Sequence, residues 1–135
     1  MTSIGMIEEF GRNAGKVWHT LNTQGALPES KLMNATMLNE NALHAAVGWL
    51  AREDKVRKDI FVYKLGETNL TTKIGDDAGK VWSVLVNHKE IEISTVGRTL
   101  AENTKMEEKD VYAALGWLAK EGKIETKSIL RPKSQ

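Results

Sequence analysis

The segment Gly48-Trp-Leu-Ala-Arg-Glu53 recurs as Gly116-Trp-Leu-Ala-Lys-Glu121, with one conservative change from Arg to Lys. A second block, Ala14-Gly-Lys-Val-Trp18, recurs unchanged as Ala78-Gly-Lys-Val-Trp82. Two blocks in the same order, each carrying a tryptophan, indicate that one structural unit is repeated. We therefore predict two domains, residues 1–65 and 66–135, joined at a polar stretch that Gly66 opens.

The spacing of the two blocks differs slightly between the copies. The first pair of tryptophans, Trp18 and Trp82, lies 64 positions apart, and the second pair, Trp49 and Trp117, lies 68 positions apart. Copy two therefore contains four extra residues, which we place near residues 101–104. Each copy is near the lower size limit for an independent core, so we expect the copies to pack against each other.

Apolar periodicity predicts three helices in each copy. Asn13 and Asp77 are predicted N-caps of the first helices, and residues 29–36 and 94–101 are predicted second helices, in which Leu32 and Val96 match. The third helices carry apolar residues at helical spacing: Leu43, Ala46, Val47 and Leu50, and then Val111, Ala114, Leu115 and Leu118. Two β-prone stretches follow each third helix and are typical of a hairpin. The predicted fold class is α+β, with two tandem winged helix-turn-helix domains, each of three helices plus a β-hairpin wing.

The same two blocks carry a family resemblance. The chain resembles small prokaryotic winged helix-turn-helix proteins that have an Ala-Gly-x-Val-Trp motif early and a Gly-Trp-Leu-Ala-Arg-Glu motif at the end of the third helix. Copy one matches at residues 14–18 and 48–53, and copy two departs only at Lys120. The resemblance implies a winged-helix fold and a DNA-binding role.

Composition narrows the possible classes of protein. The 135 residues include no cysteine, so disulfides and thiolate metal sites are excluded, and the formal net charge is +1. No apolar run approaches the length of a membrane helix, and no signal peptide is evident at the N-terminus. We expect a cytoplasmic protein without a membrane partner. Any case for nucleic acid must rest on local basic patches.

The sequence also lacks the residue patterns that are typical of catalytic sites. The three histidines show no metal-binding spacing and offer no converging ligand cluster, no Gly-x-Ser-x-Gly turn occurs, and no glycine-rich stretch ends as a phosphate loop does. We therefore expect no enzymatic activity, no cofactor and no metal.

The repeated aromatic and glycine positions allow two interpretations. The four tryptophans lie on or beside apolar helical stripes, which favours core packing, although tryptophans also form stacking platforms for bases. Gly15 and Gly79 lie inside predicted helices, where glycine is unfavourable. We expect another helix or the wing to approach them closely.

In winged-helix proteins the third helix usually reads DNA. The helical wheel predicts that the face opposite the apolar stripe is exposed; it holds Glu40, Asn41, His44, Gly48 and Arg52 in copy one, and Glu108, Lys109, Tyr112, Gly116 and Lys120 in copy two. Glutamates at the helix starts weaken the case for base reading on this face. The wings are more basic: residues 52–64 carry five basic and three acidic side chains, and residues 120–135 carry five and two.

Two functional hypotheses remain open: binding of double-stranded DNA, as a transcriptional regulator or chromosome-associated protein, and a protein-interaction module that uses the third-helix face. The chain is expected to act as a monomer or homodimer. Basic wings suit phosphate contacts, but a solvated hairpin also needs charge. The candidate DNA-binding residues are Lys31, Asn41, His44, Arg52, Lys55, Arg57, Lys58, Arg98, Lys105, Lys109, Tyr112, Lys120, Lys123, Lys127 and Arg131.

Overall fold

A computed structural model describes residues 5–126 and 129–133. The elements of the first domain are α1 (Met6–Gln24), β1 (Leu27–Pro28), α2 (Glu29–Thr36), α3 (Glu40–Arg52), β2 (Val56–Asp59) and β3 (Val62–Leu65). Those of the second are α4 (Thr71–His88), β4 (Ile91–Glu92), a 3-10 turn (Ile93–Thr95), α5 (Val96–Thr104), α6 (Glu108–Lys120), β5 (Ile124–Thr126) and β6 (Ile129–Pro132). The predicted order of three helices and a hairpin is confirmed in both copies.

Each domain also has a short third strand that the sequence did not predict. The sheet orders are β1-β3-β2 and β4-β6-β5, antiparallel throughout. Leu27 pairs with Tyr63, and Ile91 pairs with Leu130. Tyr63 and Leu130 are both buried, so this strand ties the segment after the first helix to the core side of the wing.

The first helix of each domain begins earlier than predicted. α1 starts at Met6 and α4 at Thr71, so Asn13 and Asp77 are interior helical residues rather than N-caps. Both are buried, with 3% and 6% exposure. Their polarity therefore has a tertiary cause, because a helix interior satisfies its own backbone groups and needs no cap.

The four extra residues of copy two lie elsewhere than predicted. The hydroxyls of Thr36 and Thr104 donate to the carbonyls of Leu32 and Leu100, at 2.7 Å and 2.6 Å. Leu32 therefore corresponds to Leu100 and not to Val96. The offset between equivalent positions of the two copies is thus already 68 residues within α5. The insertion lies between β4 and α5 and consists of the 3-10 turn Ile93–Thr95 with Val96, because a turn lengthens the connection without disturbing the helix that follows.

Two hydrophobic clusters form the cores. The first contains the apolar faces of α1, α2 and α3 with Val56 and Tyr63, and the second contains those of α4, α5 and α6 with Ile124 and Leu130. Ala113 of α6 belongs to the first cluster, and Ala45 of α3 belongs to the second. The domains thus share their cores through the third helices, as expected of copies too small to stand alone.

The third helices cross so closely that the backbone of each helix contacts the backbone of the other. A Cβ atom at Gly48 would lie 1.9 Å from the carbonyl oxygen of Ala113, and one at Gly116 would lie 1.9 Å from that of Ala45. The two contacts are reciprocal, so a pseudo-twofold axis passes between α3 and α6. Only glycine permits this approach, since any side chain would collide with the opposite helix.

No helix among the described residues combines the length and apolar character required to cross a lipid bilayer.

We predict that Gly48→Ala or Gly116→Ala destabilises the protein by about 1 to 3 kcal/mol or more, because the added methyl group overpacks a rigid backbone contact. Urea denaturation, followed by circular dichroism, measures the change. An unaltered midpoint would contradict the close crossing of the two helices.

Candidate functional site: two equivalent tryptophan clefts

Part of the predicted DNA-reading face of the third helix is buried. His44 is 7% exposed, and Gly48 and Gly116 are buried. The prediction of exposure was wrong for these three residues because α3 and α6 pack on two sides, one against their own domain and one against each other. Asn41 and Tyr112 are partly exposed at the start of the interface.

Basic side chains at the C-terminal ends of α3 and α6 form ion pairs with acidic residues of the opposite domain. Arg52 pairs with Glu121 at 3.2 Å, and Lys120 pairs with Glu53 at 3.5 Å. The wing lysines join the same two acids, Lys55 on Glu53 at 3.5 Å and Lys123 on Glu121 at 3.7 Å. Four of the candidate DNA-binding residues therefore form two equivalent ion-pair clusters.

Further candidates are paired within their own domains. Arg57 and Lys64 both contact Asp59, at 3.1 Å and 2.9 Å, and the hydrogen bond from Lys64 is the main cause that lowers the pKa of that carboxyl. Arg131 pairs with Glu125 at 3.1 Å. In the same way, Lys109 lies 3.6 Å from Glu107. These pairs reduce the positive potential that the sequence suggested for the wings.

Four candidates remain exposed and outside the ion pairs of the described residues: Lys31, Lys58, Arg98 and Lys105. They lie on α2, on β2, on α5 and just after α5. The Lys58 ammonium lies 5.2 Å from the centre of the Tyr63 ring. Lys127 lies outside the described residues.

The two repeated sequence blocks meet to form one cleft in each domain. Cleft 1, of about 300 Å³, is lined among others by Gly11, Gly15, Trp18, Trp49, Glu53 and Lys55. Cleft 2, of about 180 Å³, is lined by the matching Gly75, Gly79, Trp82, Trp117, Glu121 and Lys123. The match extends to every lining residue, so the repeat conserves a surface feature as well as a core.

The tryptophans line these clefts. Trp49, Trp82 and Trp117 are partly buried and pack against the cores, as predicted, whereas Trp18 is 39% exposed and does not fit the prediction of core packing. The helical stripe is apolar along its length, but these rings lie at its edge, where one side touches the core and the other faces the cleft.

Cations from the opposite domain cover two of the rings. Lys120 lies 5.5 Å from the centre of the Trp49 ring, and Arg52 lies 5.6 Å from that of Trp117. Cation–π contact orients a ring as well as attracting it. The interface thus holds one wall of each cleft in place.

Gly15 and Gly79 lie in these clefts with open space above them. A Cβ atom at either position would meet nothing within 4 Å, so the predicted close approach of another helix or the wing is wrong. The contrast with Gly11 is informative, since a Cβ there would lie 3.1 Å from the Trp49 ring. Gly15 and Gly79 thus cost helix stability without any structural contact that requires glycine.

Sequence reasoning missed the clefts, although a signal was present. Gly15 and Trp18 are three residues apart in a helix, as are Gly79 and Trp82, and this spacing places both members on one face. A glycine beside a large ring on one helical face indicates a notch. What lies across the notch depends on the third helix, which the spacing does not report.

One cluster of polar side chains also departs from the sequence prediction. Glu29, Glu40 and His44 bring two carboxylates and an imidazole to within 4.8 Å of one another. The sequence predicted no such convergence because Glu29 lies on α2, whereas Glu40 and His44 lie on α3. His44 Nε2 and Glu29 Oε1 are 2.8 Å apart, and this hydrogen bond accounts for the buried imidazole.

A model of the winged helix-turn-helix domain family DUF2582 matches the chain twice, over residues 6–61 and 69–131. The chain belongs to this family. The two matches confirm both the predicted family resemblance and the tandem repeat. Winged helix-turn-helix domains of the DUF2582 family share a fold that is typical of DNA-binding proteins. No curated protein and no solved structure matches the chain.

We predict that Gly15→Ala and Gly79→Ala each raise the free energy of unfolding by about 0.5 to 1 kcal/mol. Alanine favours the helix, and its methyl group enters open space. Urea denaturation measures the change, with Gly48→Ala as the matched control that moves in the opposite direction. Destabilisation by Gly15→Ala would contradict an open notch.

Proposed function

We propose that the chain is a non-enzymatic protein-interaction module that receives one segment of a partner protein in each of the two clefts. The observation that carries this proposal is the open space above Gly15 and Gly79, beside partly exposed tryptophans. A helical glycine that no neighbour requires is retained at a cost to stability, and such costs are typical of functional positions.

The clefts have the chemistry of a protein-binding site. Gly15 lets the backbone of an incoming segment approach the helix closely. Trp18 and Trp49 offer large apolar surfaces, and tryptophan is enriched among residues that dominate binding energy. Glu53 and Lys55 at the rim pair with each other at 3.5 Å, which favours a segment with an apolar anchor and polar flanks.

Burial of the third helices is the reason for preferring a protein partner to a groove in DNA. A recognition helix needs its side chains free to reach base edges. In this chain, backbone contact at Gly48 and Gly116 occupies part of that face. The proposed binding surface also differs from the one the sequence suggested, because the clefts replace the third-helix face.

DNA binding is the second candidate, favoured by Lys31, Lys58, Arg98 and Lys105, which are exposed and unpaired among the described residues. Such contacts would position the protein on phosphates without reading sequence.

The partner is tested by quantitative affinity capture from cells with three proteins: wild type, Gly15→Leu/Gly79→Leu, and the control Lys16→Leu/Lys80→Leu. The control creates the same side chain one position away, on the exposed surface of the same helices. We expect a specific partner that the glycine variant loses and the lysine variant keeps. Equal capture by both variants would contradict binding in the clefts.

DNA binding is tested separately by fluorescence anisotropy with random duplex DNA. We expect no salt-sensitive binding at about 50 mM salt, where phosphate contacts are easiest to detect. A logarithmic affinity that falls with slope about −0.9 per phosphate contact, and that flattens in Lys31→Ala/Lys58→Ala/Arg98→Ala/Lys105→Ala, would favour DNA instead.

A further inference from the structure

A separate cavity of about 340 Å³ lies between the domains, at the start of α3. Its apolar walls include Phe10 from α1, Ile93 from the 3-10 turn and Tyr112 from α6. Polar side chains from the first domain, Glu9, Asn13 and Asn41, converge on the same space. Aromatic walls with a few convergent polar groups are typical of a small-molecule site.

Asn13 is the central polar group. The residue is 3% exposed, yet the hydrogen bonds of the described residues include none from its carboxamide. No sealed side-chain nitrogen or oxygen among the described residues lacks a partner, so the Asn13 amide reaches the cavity rather than dry protein. The amide is therefore available to water or to a ligand that enters the cavity.

The equivalent place in the second domain holds an ion-pair cluster. The positions of Glu9, Asn13 and Ala42 correspond to Lys73, Asp77 and Asp110. Lys73 forms an ion pair with Asp77 and lies 3.6 Å from Asp110. The Asp77 hydrogen bond is the main cause that raises the pKa of Lys73, which keeps the ammonium charged.

The first domain lacks each member of that ion-pair cluster. Asn13 carries no charge, Glu9 has the wrong sign to replace the lysine, and Ala42 has no polar side chain. The space left open is then walled by residues of the other domain, among them Ile93 from the four-residue insertion. The three positions that differ between the domains and the insertion therefore all lie at one cavity.

The aromatic walls are held in a fixed geometry. The rings of Phe10 and Tyr112 meet edge to face, with centroids 6.4 Å apart and planes at 80°. Burial raises the pKa of Tyr112, with Glu108 adding to the shift, so its phenol remains a hydrogen-bond donor at neutral pH.

We propose that this cavity binds an amine-bearing nucleobase, either as a free nucleoside or as an unpaired base of a nucleic acid strand. Asparagine carboxamides pair with the donor and acceptor edge of adenine, and a carboxylate such as Glu9 accepts from an exocyclic amine. Aromatic rings provide contact for a planar base. No lysine or arginine lines the described cavity, so phosphate has no partner inside it.

The proposal is tested by titrating the whole chain with adenosine, following amide resonances by NMR. We expect saturable shifts at Asn13 and Tyr112 with a Kd of about 1 mM or tighter. Ribose and inorganic phosphate are the negative controls. Absence of shifts at about 5 mM adenosine and cytidine, or equal shifts with ribose, would overturn the proposal.

The key variant is Glu9→Lys/Asn13→Asp/Ala42→Asp, which installs the ion-pair cluster that the second domain already accommodates. We expect its affinity for adenosine to fall at least tenfold while its urea midpoint stays near that of wild type. Asn41→Ala, at a partly exposed position, provides a second test and should weaken adenosine binding several-fold. Unchanged affinity in both folded variants would overturn the assignment of the cavity.

A single-stranded oligodeoxyadenylate distinguishes the two sources of the base. Tighter binding of the oligonucleotide than of adenosine, lost in the triple variant, supports a base in a strand. Equal or weaker binding supports a free nucleoside. The Gly15→Leu/Gly79→Leu variant leaves the cavity intact, so it should bind adenosine normally whatever the fate of the proposed protein partner.

Discussion

The contact of Gly48 with the Ala113 carbonyl, and of Gly116 with the Ala45 carbonyl, sets the geometry on which the rest of the molecule depends. Because the helices meet at backbone distance, their flanking side chains also meet. Arg52 then reaches Glu121, and Lys120 reaches Glu53, across the pseudo-twofold axis. The same two cations cover the Trp117 and Trp49 rings. Cores, ion pairs and cleft walls are thus consequences of one close crossing.

This crossing also redistributes the functional surface of a winged-helix domain. Part of the helix face that commonly enters a groove of DNA becomes an internal contact, while the clefts beside α1 and α4 and the cavity between the domains remain open. A fold hosts unrelated functions because its sites depend on which surfaces remain accessible. In this chain, the two tryptophan clefts are among the surfaces that remain accessible.

Duplication provides an internal comparison. The clefts agree position by position, so the surface around Gly15 and Gly79 has the same lining in both copies. The neighbourhood of Asn13 and Asp77 differs, with an open polar cavity in one domain and an ion-pair cluster in the other. Agreement and divergence between copies therefore separate a shared role from one that a single domain carries.

The sequence by itself determined the repeat, the helical periods of the third helices and the β-hairpins, because each is a local pattern of side-chain spacing. It also indicated that glycines and tryptophans mattered. Only the tertiary structure decided what each glycine does. Gly48 meets a carbonyl oxygen and Gly15 meets open space, although both lie in helices. The difference arises from what lies opposite, and that comes from distant parts of the chain.

The position of Asn13 also depends on tertiary packing. Its residue type suits an N-cap, so local reasoning placed it at a helix start, whereas tertiary packing placed it inside α1 and against a cavity. Likewise, the basic residues of the wings were visible in the sequence, but their acidic partners, Glu121 for Arg52 and Glu53 for Lys120, come from the other domain. Periodicity reports the face that a helix buries in its own domain. It does not report a second buried face, because that depends on the packing of two domains whose contacts lie far apart in the sequence.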